Sequence, residues 1–452
     1  MWTKAEEKRI LLKTDLFALI PAMIVFVSLS LDRGNVANAL TDNLLGDLKM
    51  NQNQLNNATT LFNVGIVIFE IPWNMMAKRI GPQRFLPLTV MIWGVITLGQ
   101  AFITNHKQLY VTRFLVGTFE AGFIPGFAFY LGRFYTRSEI ASRYAIFWSA
   151  NAIASIISGV ASLGILQLRG RAGLAGWSWL FIIEGIFTIV AGSFALLWFP
   201  NSATQKSALL GRSWYTEREA SIIVTRVLVD QPSKCNEVKK TPVTWDDVID
   251  TLIDYKLMLI VLMALSGMVI ASPVSTYVPS IIKQLGYRGY TANGLAVPGY
   301  VMALIIGVSV GFLVNRYQRQ AYWIMALQLC AVISLLWVAL PPNGTNKEVL
   351  YVGALFLTAF SNTFVGCAAS WVANVVEPRQ RPIALALFVM ANNAAGLAGA
   401  QVLRKDDAPR YHRGFLILVG TTSASVILAL SAHIALRKRR IEGRSANKET
   451  RM

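Results

Sequence analysis

Apolar stretches long enough to cross a bilayer recur along the whole chain. Six cover approximately residues 16–38, 57–77, 86–103, 109–131, 145–166 and 178–199, and six more cover 257–280, 293–314, 322–340, 349–373, 383–403 and 415–436. A helix rising 1.5 Å per residue needs about 20 apolar residues to cross a hydrocarbon core, so each stretch predicts one spanning helix. The expected architecture is an all-α membrane protein with twelve transmembrane helices in two six-helix halves, 1–199 and 257–452. Residues 200–256, the longest non-spanning interval, join them as a patterned linker. There Trp245, Val248, Ile249, Leu252 and Ile253 share one helical face and Asp246, Asp247, Asp250 and Asp254 the other, behind Thr244 as N-cap. Thr216 and Glu219 have capping-box spacing. Both segments are expected to form amphipathic helices on the inner membrane surface.

Composition sharpens this picture. The 452 residues are 54% hydrophobic and 15% charged, against about 25% charged in ordinary soluble domains. The net charge of +18 would suggest nucleic acid for a soluble chain, but membrane proteins collect Lys and Arg in cytoplasmic connectors, so no nucleic-acid partner is expected. With both termini placed in the cytoplasm, the inner connectors hold 29 basic residues and the outer ones 11. That orientation puts Lys239 inside and the two Asn-x-Thr sequons, Asn57 and Asn343, outside. The charged start, MWTKAEEKRILLKTD, is unlike a removable signal, so the first span is expected to serve as its own.

Three cysteines and three histidines stand far apart, which signals neither a disulfide framework nor a metal site. Neither a GxxxxGK[ST] phosphate loop nor an HExxH helix is present. The expectation is therefore no cofactor, no metal and no catalytic centre, with any transport driven by a gradient.

Charged side chains at bilayer depth cost about 2.5–3.5 kcal/mol each on insertion scales, so they call for partners or a function. Asp32, Arg33, Glu70, Arg113, Glu120 and Glu184 lie inside predicted spans of the first half, whereas the second half has only His433. Asp32 and Arg113 fall at similar depth, so they make a reasonable pair. Glu120 follows Arg113 by about 700° of helical rotation, on nearly the same face. Glu70 is expected to pair with Arg137 or Arg143 in a gate. Glu184 receives no role. In the second half, Tyr277, Asn362, Asn392 and Asn393 are polar enough to line a midplane cavity, although Asn also joins membrane helices. Pro273, Pro279 and Pro298 are expected to break their helices.

The segment Asn74-Met-Met-Ala-Lys-Arg-Ile-Gly-Pro-Gln-Arg84 resembles the inner-loop signature G-x-x-x-D-R-x-G-R-R of the major facilitator superfamily. Arg79 and Gly81 match, while Asn74 and Lys78 replace the first Gly and the Asp. A weaker copy, Gly311-Phe-Leu-Val-Asn-Arg316, sits in the other half, as duplication requires. Leu31-Asp-Arg-Gly-Asn-Val-Ala-Asn-Ala39, Glu70-Ile-Pro-Trp-Asn74, the run Arg113–Gly126, Gly176-Trp-Ser-Trp-Leu-Phe-Ile-Ile-Glu-Gly185 and Asp407-Ala-Pro-Arg-Tyr-His-Arg-Gly414 together resemble the anion:cation symporter family. Its fungal members include allantoate, nicotinate, pantothenate and biotin permeases. Phe129-Tyr-Leu-Gly-Arg-Phe-Tyr135 and Asp254-Tyr-Lys-Leu are most similar to its thiamine-pathway and alternative sulfur-source branch.

The resemblance implies proton-coupled symport of a small organic anion by alternating access, in a monomer of the plasma membrane. It implies Arg33 as substrate ligand, Asp32 and Glu120 as protonatable coupling groups with Arg113 beside them, and Arg79 with Glu70 and Arg143 in the gate. A static ion-pair network holding the helices is the alternative for the charged residues. Drug:proton antiport and a nutrient-sensing receptor of the same fold are the rival functions; the short tail after the last span argues against the receptor.

Overall fold

The computed structural model describes residues 2–200, 203–204, 213–230, 245–287, 289–317, 319–340, 346–376, 380–408 and 411–449. Lys239, Thr244 and Asn343 lie outside them, as do the side chains of Lys78, Arg137, Trp245, Asp246, Asp247 and Val248. All regular elements among the described residues are helical. Two compact units emerge, Met1–Thr241 with Gly289–Gly294, and Pro242–Arg288 with Leu295–Met452. The boundary falls inside the expected linker, so its first helix belongs to one unit and its second to the other.

In the first unit, α1 (Lys4–Thr14) begins at a capping box in which the Thr3 hydroxyl accepts from the Glu6 N–H and the Glu6 carboxylate from the Thr3 N–H. It runs through a π turn at Asp15–Leu19 into α2 (Ile20–Thr41), making one apolar helix from Lys4 to Thr41. After the short α3 (Leu44–Asp47), α4 (Gln52–Ile80) starts at an Asn51–Gln54 capping box and stops at Gly81, whose φ of +98° suits glycine. Then come α5 (Pro82–Gln100), α6 (His106–Glu120), α7 (Phe123–Leu131), α8 (Arg137–Ile165), α9 (Gly176–Trp198) and α10 (Glu217–Asp230). A column of stacked rings fills the core at one end: Phe26 lies 4.4 Å from Phe147, which lies 5.5 Å from Phe127.

In the second unit, α11 (Trp245–Ile253) leads into α12 (Tyr255–Met268), capped by the Asp254 carboxylate on the Lys256 N–H. It continues with α13 (Ala271–Gln284), α14 (Gly289–Tyr317, whose first turn belongs to the other unit), α15 (Gln320–Ala339), α16 (Lys347–Phe360), α17 (Val365–Val375), α18 (Arg381–Ala400) and α19 (His412–Glu449). Leu257, Ile260, Ile324, Phe364, Trp371 and Phe388 anchor its core.

Ten helical segments among the described residues are long and apolar enough to cross a membrane. Of the twelve expected spans, the other two are helical but fall short: α5 has 19 residues with polar ends, and the fourth span is interrupted at Ala121–Gly122 between α6 and α7. The seventh and tenth expected spans also break, at Val269–Ile270 and Ser361–Phe364. Of the three prolines expected to break helices, only Pro273 sits beside an interruption. It cannot donate to the Val269 carbonyl four residues earlier, whereas α13 and α14 continue through Pro279 and Pro298.

Candidate functional site

The first unit concentrates its membrane-depth charges on facing turns of α2, α6 and α9. Arg33 of α2 donates from Nε to Glu120 Oε2 of α6 at 2.8 Å. The Glu120 side chain has 0% exposure and that of Arg33 37%, so the carboxylate lies behind a guanidinium that is open on its other side. Arg33 also lies 5.6 Å from the Phe62 ring of α4. That ring is held close by Gly117 on α6: a Cβ there would meet the Phe62 carbonyl oxygen at 2.0 Å, so only glycine lets the two backbones touch.

Asp32, buried one residue away, accepts at Oδ2 from Trp93 Nε1 of α5 (2.9 Å) and Thr188 Oγ1 of α9 (3.1 Å). Arg113 does not bond to it. Its Nη2 donates instead to Asn35 Oδ1 at 2.7 Å, and its guanidinium lies 5.8 Å from the Phe181 ring. The expected Asp32–Arg113 pair is thus replaced by electrostatic reach alone, with Glu120 and Glu184 acting on the same guanidinium. The Arg113 guanidinium is instead held by Asn35 and the Phe181 ring, while Trp93 and Thr188 hold Asp32 through Oδ2 alone.

Arg143 forms a two-pronged contact with Asp15, Nε to Oδ1 at 3.1 Å and Nη2 to Oδ2 at 3.0 Å, and Tyr135 donates to the same Oδ1 at 2.7 Å. Burial first, then the hydrogen bond to Asp15, push the Tyr135 phenol up. Glu70 is half-buried on α4 and its carbonyl accepts from Asn74 Nδ2. Arg79 is exposed near the end of the same helix. Beside Arg143, the buried Arg226 of α10 pairs with Glu7 of α1 at 2.7 Å and with Glu139 of α8. Lys13 pairs with Glu219 at 2.7 Å and Arg218 with Glu6 at 3.0 Å, so α10 is tied to α1 along its length.

In the second unit, Tyr277 is buried with its ring 6.4 Å from that of Tyr411. Asn362 is exposed within the α16–α17 interruption, where its carbonyl accepts from the Val365 N–H. Asn392 and Asn393 are both half-buried on α18, and Asn392 Oδ1 has no hydrogen-bond partner.

The sequence reading missed Trp93, Thr188, Asn35 and Phe62, because a neutral residue inside an apolar run is indistinguishable there from packing. It also missed the α1–α10 contacts, whose one signal was the acidic and basic pairs Glu6-Glu7 and Arg218-Glu219.

Residues 22–400 match the family model described as Major Facilitator Superfamily. The chain belongs to that superfamily. An uncharacterized transporter of Saccharomyces cerevisiae is 34% identical over 445 residues, covering 95% of this facilitator and 80% of the relative. The MFS-type transporter cnsO of Penicillium expansum is 30% identical over 439 residues, covering 96% and 84%. Among solved structures, a bacterial homolog of the human lysosomal transporter Spinster, inward-facing and unoccupied, aligns with a TM-score of 0.70 at 15% identity, covering 96% of this facilitator and 98% of that chain. A D-xylose-proton symporter aligns with a TM-score of 0.68 at 14% identity, covering 93% and 97%. This facilitator is a multi-pass membrane protein and a secondary transporter, not an enzyme.

Proposed function

We propose that this facilitator is a proton-coupled symporter of a small organic anion, of the anion:cation symporter type, acting as a monomer in the plasma membrane with both termini in the cytoplasm. The observation that carries the reading is the Arg33–Glu120 pair, a buried carboxylate on a partly open guanidinium. An incoming carboxylate or sulfonate competes with Glu120 for Arg33, whose planar fork suits two-pronged anion binding. Glu120, stripped of its cation in a dry setting, then binds a proton rather than remain an unpaired buried charge. Anion and proton therefore load together, and releasing the anion restores the pair and expels the proton. Asp32 and Arg113 set the field around this exchange. Tyr277, Asn362, Asn392 and Asn393 are proposed to hydrogen-bond to the neutral part of the substrate, and Glu70, Arg79 and Arg143 to act in gating.

The test is uptake into proteoliposomes from acid buffer, with a panel of labelled small carboxylates and sulfonates, in wild type and Glu120→Gln. Gln mimics the protonated acid permanently. The variant should keep anion counterflow exchange and lose acid-driven accumulation. Normal acid-driven accumulation by Glu120→Gln would refute the coupling role, and expulsion of a cationic drug with no anion uptake would favour antiport.

A further inference from the structure

Glu184 of α9 is the one membrane-depth carboxylate to which the reading above gives no task. It is 4% exposed, and its carboxyl oxygens have no well-formed hydrogen bond, the Asn35 amide being the polar group beside them. It lies where α9 packs antiparallel on α5: a Cβ at Gly192 would meet Met91, one at Gly94 would meet Ile189 and Thr188, and one at Gly185 would fall 2.7 Å from the Leu98 backbone nitrogen. Trp93, Thr97 and Gln100 are spaced along one stripe of α5, and Thr188 and Glu184 stand one turn apart on α9. Unsatisfied buried atoms gather on these stripes and the adjoining turns of α2 and α6. They include Gln100 Oε1, Thr97 Oγ1, Asn35 Nδ2, Arg113 Nε, both Glu184 oxygens and Asp32 Oδ1, on residues no more than 5% exposed. Buried polar atoms are nearly always paired, so such a concentration marks a place with a task.

Charge narrows the task. The charged groups acting on Glu184 are Asp32 of α2 and Arg113 of α6, and Arg113 in turn acts on Glu120, which holds Arg33; α5 has only Arg84 near its opposite end, and α8 has no ionisable residue between Ile146 and Ile165. Two cations thus meet three carboxyls, and one proton makes the group neutral. Asp32 already accepts two hydrogen bonds and Glu120 holds an arginine. Glu184 has neither.

We propose that Glu184 is a second exchangeable-proton site of this transporter, on a polar file between α2, α5 and α9 that runs from Gln100 and Thr97 to Asp32, apart from the Arg33–Glu120 pair. The inference rests on the proton-coupled reading above. The proton that leaves the Glu184 carboxyl is taken up by water, and the new carboxylate stays in the field of Arg113 and Asp32.

Infrared difference spectroscopy of the full chain in lipid nanodiscs, stepped between mildly acid and mildly alkaline buffer, tests this without a substrate. Wild type should show a protonated-carboxyl C=O band that fades reversibly as the pH rises. Glu184→Gln should remove it, and Glu120→Gln should retain it. A band that persists in Glu184→Gln with the wild-type pH response overturns the assignment. If Glu184→Gln does not fold, Glu184→Asp must move the band, and an unmoved band overturns the assignment equally. The anion-uptake test of Glu120→Gln fails or succeeds separately, because the spectrum contains no anion. Acid-stimulated uptake by Glu184→Gln with an unchanged pH profile would remove the site from the transport cycle.

Discussion

Replacing Gly117 by Ala tests the seam beneath the Arg33–Glu120 pair. The added Cβ would stand 2.0 Å from the Phe62 carbonyl oxygen and 2.9 Å from its carbon. Ordinary carbon–oxygen contacts lie at about 3.3–3.6 Å, so α4 and α6 would have to part by about 1.3–1.6 Å. The obstruction is backbone on both sides, and a Cβ at Gly65 would likewise meet the Phe114 oxygen at 2.6 Å, so no side chain can swing away. Overpacking of this kind costs about 1–3 kcal/mol, here near the upper end. Alanine returns up to about 1 kcal/mol of helix propensity, which leaves a net loss of about 2 kcal/mol. Because Phe62 rides on the displaced turn, its ring would also leave Arg33. The measurement is thermal melting of purified protein in detergent, with Gly307→Ala as control, since a Cβ at Gly307 meets nothing within 4 Å. Gly117→Ala should melt clearly below wild type and the control at or above it. Equal melting of the two variants would show that α4 and α6 are not held together at this point.

Arg33→Lys preserves charge but loses the Nε donor that holds Glu120 and the planar fork proposed for the anion. Losing one charge-assisted hydrogen bond, about 1.5–3 kcal/mol, should raise the half-saturation concentration for the best anion about 10- to 150-fold at matched expression. Unchanged uptake kinetics would take Arg33 out of the site. At the α1–α10 contact, burial works to raise the Glu219 acid, but the Lys13 ammonium and the Thr216 N–H outweigh it and hold Glu219 below its ordinary value. The pair's contribution is therefore fully present above the unfolded carboxylate range and is lost as pH falls through the depressed value. Lys13→Met should melt below wild type at neutral pH by an amount worth under about 1 kcal/mol, since both side chains are partly exposed. The deficit should vanish in acid; a pH-independent deficit would mean that Lys13 contributes through packing alone.

Spacing of apolar residues was enough to read the helical architecture, because a lipid-facing helix must satisfy its backbone internally and cover itself with apolar side chains. The interruption at Ala121–Gly122 escaped that reading, since both residues are as compatible with a continuous span as with a broken one. Arg33 and Glu120 were legible as anomalies of charge, but their pairing spans 87 residues of sequence and is set by how α2 and α6 pack. Glu70 was expected to pair with Arg137 or Arg143; the two-pronged contact of Arg143 with Asp15 was not foreseen, because Asp15 lies just before the first predicted span and so looked like part of the charged terminus. Asp32 shows the same limit from the other side: its charge was visible, while Trp93 and Thr188, the donors that stabilise it, looked like filling.

The unbroken helix from Lys4 to Thr41 acts as a lever. Arg33 and Lys13 are 20 residues apart on it, or about 30 Å at 1.5 Å per residue. A tilt of about 5° pivoting at Arg33 would sweep Lys13 through about 2.6 Å, close to the full length of its contact with Glu219. Mechanical advantage of this size means that an adjustment too small to disturb the spans around Arg33 is enough to uncouple α10 from α1, and the end of the molecule near its first residue becomes a place to attach a reporter.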